Sequence, residues 1–151
     1  MTQADPYSQL PDPTRHAGFY AGVPVKRFIA FLLDLLIIFV ISLVPVVATV
    51  GLGAFIFPVI FFVIGFIYRV VTLASGSATW GMRLMAIELR GLDASRFSFG
   101  DAFLHTLAFY ISLGVFPVQI ISIVLMLTTS RGQGLTDMLF GTVALNRRAT
   151  A

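Results

Sequence analysis

Two long apolar segments dominate the first half of the chain. Residues 28–50 contain one charged side chain, Asp34, and residues 52–74 contain one, Arg69. Each segment has 23 residues, enough to cross the roughly 30 Å hydrocarbon core of a bilayer as an α-helix. Only a short glycine-containing stretch at Gly51 separates them, and glycine suits a sharp turn. The pattern therefore predicts a tight antiparallel hairpin of two transmembrane helices.

A third apolar region covers residues 102–128 and contains no Asp, Glu, Lys or Arg. A single crossing would place the C-terminal arginines opposite the other basic residues, against the positive-inside rule. A break at residues 113–117 would instead give two half-length helices, neither able to cross alone. Gly114 and Pro117 allow a kink as readily as a turn. The sequence leaves a single kinked span and a re-entrant hairpin both open.

The segment between the second and third apolar regions is too polar to span a membrane. Met85, Ile87 and Leu89 alternate with other residues there, which indicates a short strand, and a turn is expected at residues 91–94. Tyr68, near the end of the second apolar segment, fits an aromatic anchor at the membrane interface. We expect this segment to lie at the membrane surface.

These segments together predict an all-α membrane protein with a helical hairpin, a third helical region and a short strand and loop between them. Residues 1–24, rich in proline and polar residues, predict a disordered cytoplasmic tail. Residues 25–146 form the predicted transmembrane domain, and residues 147–151 a basic C-terminal tail. Basic residues lie at the end of the hairpin opposite its turn, and none lies in the turn itself. We therefore expect the end with the basic residues, including the N-terminus, in the cytoplasm. These basic residues are Arg15, Lys26, Arg27, Arg69, Arg83, Arg90 and Arg96.

Composition narrows the class of protein. Hydrophobic residues make up 58% of the chain and charged residues 11%, against about 25% charged in a soluble domain. The net charge is +3, but the basic residues flank the apolar segments instead of forming a basic stripe. No nucleic acid is therefore expected as partner. The chain has no cysteine, which excludes disulfides and thiolate chemistry. No hydrolase, metalloprotease or nucleotide-binding motif is present, so neither an enzymatic activity nor a cofactor is predicted.

Charged residues within the apolar segments are the candidates for a functional site. Asp34 lies about 9 Å inside the first helix, where an unpaired aspartate costs about 2.5–3.5 kcal/mol. Arg27 shares its helix face but lies about 10.5 Å away along the axis, too far for a direct ion pair. We therefore expect Arg69 and Asp137 to complete one cluster of two arginines and two aspartates. The cluster is either a structural network or a working ion or proton site.

Three motifs resemble the RDD family of membrane proteins. They are Arg27 with Asp34 seven positions on, the segment WGMRLMAIEL, and the segment GQGLTDMLFGTVAL, which contains Asp137. The resemblance covers about residues 18–146 and makes Arg27, Asp34 and Asp137 the signature residues. The family has no generally assigned reaction, and the resemblance implies ligand transport as one candidate activity. The residues in matching flanks are Gly81, Arg83, Gln133, Gly134, Gly141 and Thr142.

His105 is a secondary candidate, together with Arg83 and Gln133. It stands three residues into the third apolar region, where members of the family often carry an arginine. A buried histidine there is either a hydrogen-bonded structural residue or a proton relay, because imidazole titrates near neutral pH. The chain also carries Thr136 before Asp137 where members often have histidine.

Two functions follow as alternatives. The first is a small transport component in which the charge cluster handles a cation or proton. The second is a non-transporting interaction or assembly module in which the cluster is structural. Three apolar segments enclose little interior, so we expect a homo-oligomer or a larger membrane complex. The expected location is the lipid bilayer of a bacterial inner (plasma) membrane.

Overall fold

The computed structural model describes residues 9–147 and is mainly helical. Residues 1–8 and 148–151, which include the ends of both predicted tails, lie outside the described residues. Short 3-10 helices at Ala17–Phe19 and Leu52–Ile56 precede the first two α-helices. The α-helices are α1 (Val23–Ala48), α2 (Phe57–Gly76), α3 (Trp80–Leu84), α4 (Phe99–Gly114), α5 (Phe116–Thr128) and α6 (Leu135–Phe140). The strands are β1 (Ile87–Gly91) and β2 (Thr142–Asn146).

The helices α1 and α2 form the predicted hairpin. Each is long and apolar enough to cross a membrane when the adjoining 3-10 helix is included. The turn between them contains Gly51 with a φ of +88°, a conformation that glycine adopts without steric cost. Gly53 lies so close to Thr49 that a Cβ there would be 2.9 Å from the Thr49 hydroxyl oxygen. The predicted membrane fold is confirmed, and both glycines lie at its tightest turn.

The third apolar region is broken, because the helix direction changes by 114° between α4 and α5. Helix α4 runs beside α2, where the rings of Phe66 and Phe103 are 5.5 Å apart. Helix α5 then leads back, and the carbonyl of Gly132 just after it lies 3.5 Å from a guanidinium nitrogen of Arg27 at the start of α1. The pair therefore begins and ends at the same end of the hairpin, as the re-entrant alternative requires.

A two-stranded antiparallel sheet marks that end of the hairpin, which we call the sheet end. The β1 strand pairs with β2, with Ile87 opposite Asn146 and Gly91 opposite Thr142. The alternation of apolar residues predicts β1, and the turn after it is stabilised by a hydrogen bond from the Ala94 N–H to the Gly91 carbonyl at 3.0 Å. The sequence did not predict β2, because its partner lies some fifty residues earlier in the chain and no turn joins the two.

Side-chain burial is concentrated at the sheet end. There α1, α2, α3, β1 and β2 enclose apolar residues such as Val23, Leu73, Ile87 and Leu89, all 0% exposed. By contrast, the opposite end of the hairpin presents apolar side chains such as Phe55, which is 87% exposed. The chain therefore packs like a soluble protein at one end and presents apolar surface to lipid along its helices.

The described part of the predicted disordered tail, residues 9–22, packs against the sheet. Leu10 and Tyr20 lie in a small apolar cluster with Val143 and Leu145 of β2. The side-chain amide of Asn146 donates hydrogen bonds to backbone carbonyls of this segment, both at 2.9 Å. The segment is therefore held in place by β2, the strand that the sequence did not predict.

Candidate functional site

Asp34 is surrounded by three hydrogen-bond donors. Its Oδ1 accepts from the Tyr68 hydroxyl at 2.6 Å and from the Gly81 backbone N–H at 2.8 Å, and its Oδ2 accepts from the Thr79 hydroxyl at 2.6 Å. The side chain is only 2% exposed. Donors that satisfy a buried carboxylate remove most of the cost of its burial. This group, the Asp34 site, joins α1 to α2 and α3.

The local geometry of α3 explains why these residues meet Asp34. Thr79 is the N-cap of α3, and its hydroxyl also accepts from the Met82 N–H at 3.2 Å. The Gly81 N–H points out of the helix start, where a negative charge is favourable. A Cβ on Gly81 would lie 2.3 Å from the carbonyl oxygen of Ala30. Only glycine allows α3 to approach α1 this closely.

Tyr68 has a different role from the one that the sequence predicts. It is 7% exposed, and its hydroxyl accepts a hydrogen bond from the Trp80 N–H at 3.1 Å while donating to Asp34. It is therefore a buried polar contact and not an interface anchor. Sequence reasoning missed Thr79 altogether, although a threonine just before the helical segment WGMRL is an N-cap signal.

Asp137 forms a second group, the Asp137 site. Its Oδ2 accepts from a guanidinium nitrogen of Arg27 and from the Gly134 N–H at 3.0 Å. Its Oδ1 contacts Nε2 of His105 at 3.1 Å and accepts from the Thr142 hydroxyl at 3.2 Å. Asp137 is 0% exposed. The site joins the start of α1 to α4, α6 and β2.

Electrostatics keep the Asp137 carboxyl ionised. Burial by itself would raise its pKa, but the Arg27 charge and the hydrogen bond from His105 outweigh burial and hold the pKa well below its usual range. Because the carboxylate is an acceptor, the contact requires a proton on Nε2 of His105. The Nδ1 atom of this histidine is buried and has no hydrogen-bond partner among the described residues.

The predicted four-residue cluster is divided between these two sites. Arg27 pairs with Asp137 and not with Asp34, while the three donors to Asp34 are all uncharged groups. Arg69, which was expected to pair with a carboxylate, forms no ion pair within the described part of the chain. The structure thus brings Arg27, Asp137 and His105 together and leaves Arg69 apart.

The other two secondary candidates bind backbone groups. Arg83 donates to the carbonyl oxygens of Ala78 at 3.2 Å and Thr72 at 3.3 Å, near the C-terminal end of α2. The guanidinium thus connects α3 to the end of α2 and to the segment that follows it. Gln133 donates to the Thr142 carbonyl at 2.8 Å and positions the start of β2 near Asp137. Both residues support the fold around the two sites.

Arg69 lies at the floor of a groove of about 530 Å³ between α1 and α5, which we call the lateral groove. Its guanidinium carbon is 4.1 Å from the centre of the Phe109 ring, a cation–π contact. Asp34 and Arg27 also line the groove, but most of its wall is apolar. The apolar wall residues are Pro24, Val25, Phe28, Ala30, Phe31, Met82, Phe109, Leu113, Ile123, Met126 and Leu127.

In both sites, groups of the protein itself donate hydrogen bonds to the aspartate. Within residues 9–147 there is no group of three or more His, Cys, Asp or Glu side chains placed to hold a metal ion. Each aspartate accepts hydrogen bonds from donors on other elements, and each joins α1 to a different part of the sheet end. The arrangement can therefore fix how the helices pack, and the lateral groove is the accessible space beside it.

The comparison with known families agrees with the sequence motifs. The model of the RDD family matches residues 21–141, a region that contains the Asp34 site, the lateral groove and all of the Asp137 site except Thr142. Neither a curated protein sequence nor a solved structure matches the chain. The match covers well over half of the chain, and the matched region contains Arg27, Asp34 and Asp137. The chain is a membrane protein that belongs to the RDD family.

Proposed function

We propose that this protein is a non-transporting interaction module of the membrane, in which the Arg and Asp signature residues are structural. The observation that supports this proposal is that every carboxylate oxygen of the two aspartates is engaged inside the protein, with three hydrogen bonds at Asp34 and four contacts at Asp137. An ion site that loads and releases its ligand needs acceptor atoms that are free in one of its states. Neither carboxylate has such an atom available without breaking contacts between helices.

The Asp34 site argues against cation binding in particular. A cation would have to replace the hydroxyl of Tyr68, the hydroxyl of Thr79 or the N–H of Gly81, each at 2.6–2.8 Å. A buried donor left without its acceptor costs about 1–3 kcal/mol. Displacing these donors would also separate α3 from α1. The site is thus better suited to holding the two helices together.

The Asp137 site argues against proton transfer. A carboxyl group that carries protons needs a pKa near the working pH, whereas burial, which would raise the pKa of Asp137, is outweighed by Arg27 and His105. The carboxylate therefore stays charged over the physiological range. Its contacts to α1, α4, α6 and β2 fit a group that assembles the sheet end.

The sheet end is proposed to face the cytoplasm of a bacterial cell, with the protein in the inner membrane. Arg83, Arg90 and Arg96 lie between α2 and α4, and the N-terminal segment and β2 are at the same end. The opposite turn, residues 49–56, contains no Lys or Arg. By the positive-inside rule this asymmetry supports a cytoplasmic sheet end. That end, together with the lipid-facing helices, is the surface that the module presents to other copies or to a larger complex.

Flux and assembly measurements on the same preparation test the proposal. Purified protein is reconstituted in liposomes, and proton and Na⁺ flux are measured beside the mass of the protein complex in detergent. We expect flux equal to that of empty liposomes and a mass above that of the monomer. Asp137→Asn is compared with Asp93→Asn, which makes the same change in an exposed turn.

Transport is the second candidate, and one observation favours it. Arg69 is a buried cation without an ion-pair partner among the described residues, and it lines an open groove. Flux above the level of empty liposomes, lost in Asp137→Asn and kept in Asp93→Asn, would contradict the interaction module and establish transport. In either case the proposal requires no catalytic step.

A further inference from the structure

We propose that the lateral groove binds one anionic phospholipid, whose phosphate contacts Arg69 and whose acyl chains lie along the apolar walls. This binding site goes beyond the interaction module, and it could be occupied whether or not the protein transports anything. The proposal depends on three features of the groove: an unsatisfied guanidinium, an opening toward the lipid and a position toward the sheet end of the bilayer.

Arg69 is a buried cation, and one of its donors lacks an acceptor. Its side chain is 7% exposed, and Nε is buried without a hydrogen-bond partner among the described residues. The guanidinium carbon lies 4.1 Å from the centre of the Phe109 ring, and a cation–π contact does not take up the N–H donors as a hydrogen-bond acceptor would. A cation held in apolar surroundings requires a counter-charge or acceptors. Arg69 therefore presents the groove with an unfilled anion-binding edge.

The other charged groups of the groove are already engaged. Asp34 accepts three hydrogen bonds from uncharged donors on α2 and α3, and it forms no ion pair with Arg69 among the described residues. Arg27 is paired with Asp137. Two guanidinium groups and one carboxylate thus line the groove. The two guanidinium groups would repel the ammonium of a zwitterionic headgroup. A purely anionic headgroup has no such ammonium.

The walls suit acyl chains, and the rim opens onto the lipid. Val25, Phe28 and Leu127 line the groove and are 62%, 61% and 68% exposed. Exposed apolar residues beside a groove that is itself mostly apolar form a continuous path from the bilayer to Arg69. The volume of about 530 Å³ lies within the usual range of ligand pockets.

The backbone of Arg69 lies toward the sheet end of the bilayer. By helical rise it is about 28 Å from Leu52, at the far turn of the hairpin, and the hydrocarbon core is about 30 Å thick. Its guanidinium contacts Phe109, ten residues after the start of α4, so a headgroup phosphate has to enter the groove from the boundary to reach it. A guanidinium binds a phosphate with two parallel hydrogen bonds, which makes it the side chain best suited to that group.

Lipid binding by the full chain tests the proposal. Delipidated protein in neutral detergent is titrated with phosphatidylglycerol, phosphatidylcholine or inorganic phosphate, and bound lipid is counted by native mass spectrometry while thermal unfolding is followed. We expect saturable retention of one phosphatidylglycerol, bound about tenfold more tightly than phosphatidylcholine. Both lipids carry the phosphate that Arg69 binds, but the choline ammonium of phosphatidylcholine would also lie near Arg27 and Arg69. Equal affinity for the two lipids would overturn the proposal. Equal protection by inorganic phosphate would replace it with a free-anion site.

Matched variants separate the guanidinium from the walls. Arg69→Gln is expected to remove the preference for phosphatidylglycerol, while Arg96→Gln, which loses the same charge from an exposed position, keeps it. Ile123→Trp fills the groove without changing any charge and is expected to lower lipid retention, whereas Ile121→Trp, on the same helix but outside the groove, does not. If Arg69→Gln fails to fold, the comparison of Ile123→Trp with Ile121→Trp still tests lipid binding in the groove. Unchanged binding in Ile123→Trp would contradict the site.

A second copy of the chain is the competing occupant of the groove. Since the chain has no cysteine, Ile123→Cys gives a single thiol at the wall. A disulfide-linked dimer formed in membranes through this thiol would place another protein chain at the groove and overturn lipid binding. We expect the variant to form no disulfide-linked dimer on oxidation and to retain phosphatidylglycerol.

Discussion

The backbone N–H of Gly81 donates a hydrogen bond to the Asp34 carboxylate at 2.8 Å. This contact brings a residue in the middle of α1 against the first turn of α3, although 47 positions separate the two in the chain. It depends on a glycine, because a Cβ would meet the carbonyl oxygen of Ala30 at 2.3 Å. The motif around Gly81 is therefore a packing requirement of the Asp34 site.

Gly81→Ala is expected to destabilise the protein. The added methyl group would push α3 away from α1 and stretch the hydrogen bond to Asp34, and such overpacking typically costs about 1–3 kcal/mol. The change is measured as a fall in the thermal unfolding temperature in detergent. Gly100→Ala is the control, since the nearest atom to its Cβ would be 3.7 Å away. Equal stability of the two variants would contradict the close approach.

Tyr68→Phe should lower stability by about 1–3 kcal/mol, because the buried Trp80 N–H and the Asp34 carboxylate would each lose a partner. In a double-mutant cycle with Asp34→Asn we expect the combined loss to be smaller than the sum of the single losses. Tyr110→Phe serves as the control, since its hydroxyl has no hydrogen bond to Asp34. Additive effects would mean that Tyr68 acts through packing alone.

Arg27 and Asp137 should be energetically coupled, whereas Arg27 and Asp34 should not. Removing one member of a buried ion pair typically costs about 3–5 kcal/mol, since the other is left uncompensated. Arg27→Gln with Asp137→Asn is thus expected to recover part of the two single losses. Arg27→Gln with Asp34→Asn should be additive to within about 0.5 kcal/mol, because the two residues share no partner. Chemical or thermal unfolding of the five variants and the wild type measures both cycles.

The Asp137 site predicts how stability depends on acid. The pKa of Asp137 in the folded protein lies below its ordinary value, since Arg27 and His105 outweigh burial. Its contribution is therefore complete above the unfolded pKa of about 3.9 and is lost as the pH falls toward the folded pKa. Between pH 7 and 5, titration of Asp137 should change the thermal unfolding temperature of the wild type little. Below pH 4 that temperature should fall more steeply in the wild type than in Asp137→Asn. A parallel decline in both would contradict the pairing.

Cysteine labelling tests the return of the third region to the sheet end. Ser95 and Ser130 are exposed positions before α4 and after α5, and Val50, 94% exposed, lies at the opposite turn. With no native cysteine, single variants at these positions report without background. We expect Ser95→Cys and Ser130→Cys to react with an impermeant reagent only from the cytoplasmic side, and Val50→Cys only from outside. Ser130 reacting from the opposite side to Ser95 would mean a single crossing.

The hairpin and β1 could be predicted from sequence because their signals are local. Runs of apolar residues mark α1 and α2, glycine marks the turn, and alternation marks β1. The division of charges between two sites could not be predicted in the same way. It depends on which acceptor lies nearest each donor after folding, and the Arg27 and Asp137 pair spans 110 positions.

Uncharged donors were the least predictable part of the candidate site. The pattern of charged residues predicts an arginine as the partner of Asp34. Its partners are instead the hydroxyls of Tyr68 and Thr79 and a backbone N–H. Hydroxyl groups and backbone amides carry no signal in composition or charge pattern. For β2 the limit is different, because a strand whose partner is distant in sequence has no turn beside it to identify it.

The distance in sequence between Arg27 and Asp137 also sets an order of events during synthesis. Helix α1 enters the membrane with its arginine at the boundary, but the counter-charge is made 110 residues later. At about 5–20 residues per second, the ribosome delivers it only after roughly 5–20 s. During that interval the hairpin exists with Arg27 unpaired and the β1 edge open. A newly made chain that stops before Asp137 therefore keeps Arg27 without its counter-charge and the β1 edge without its partner strand.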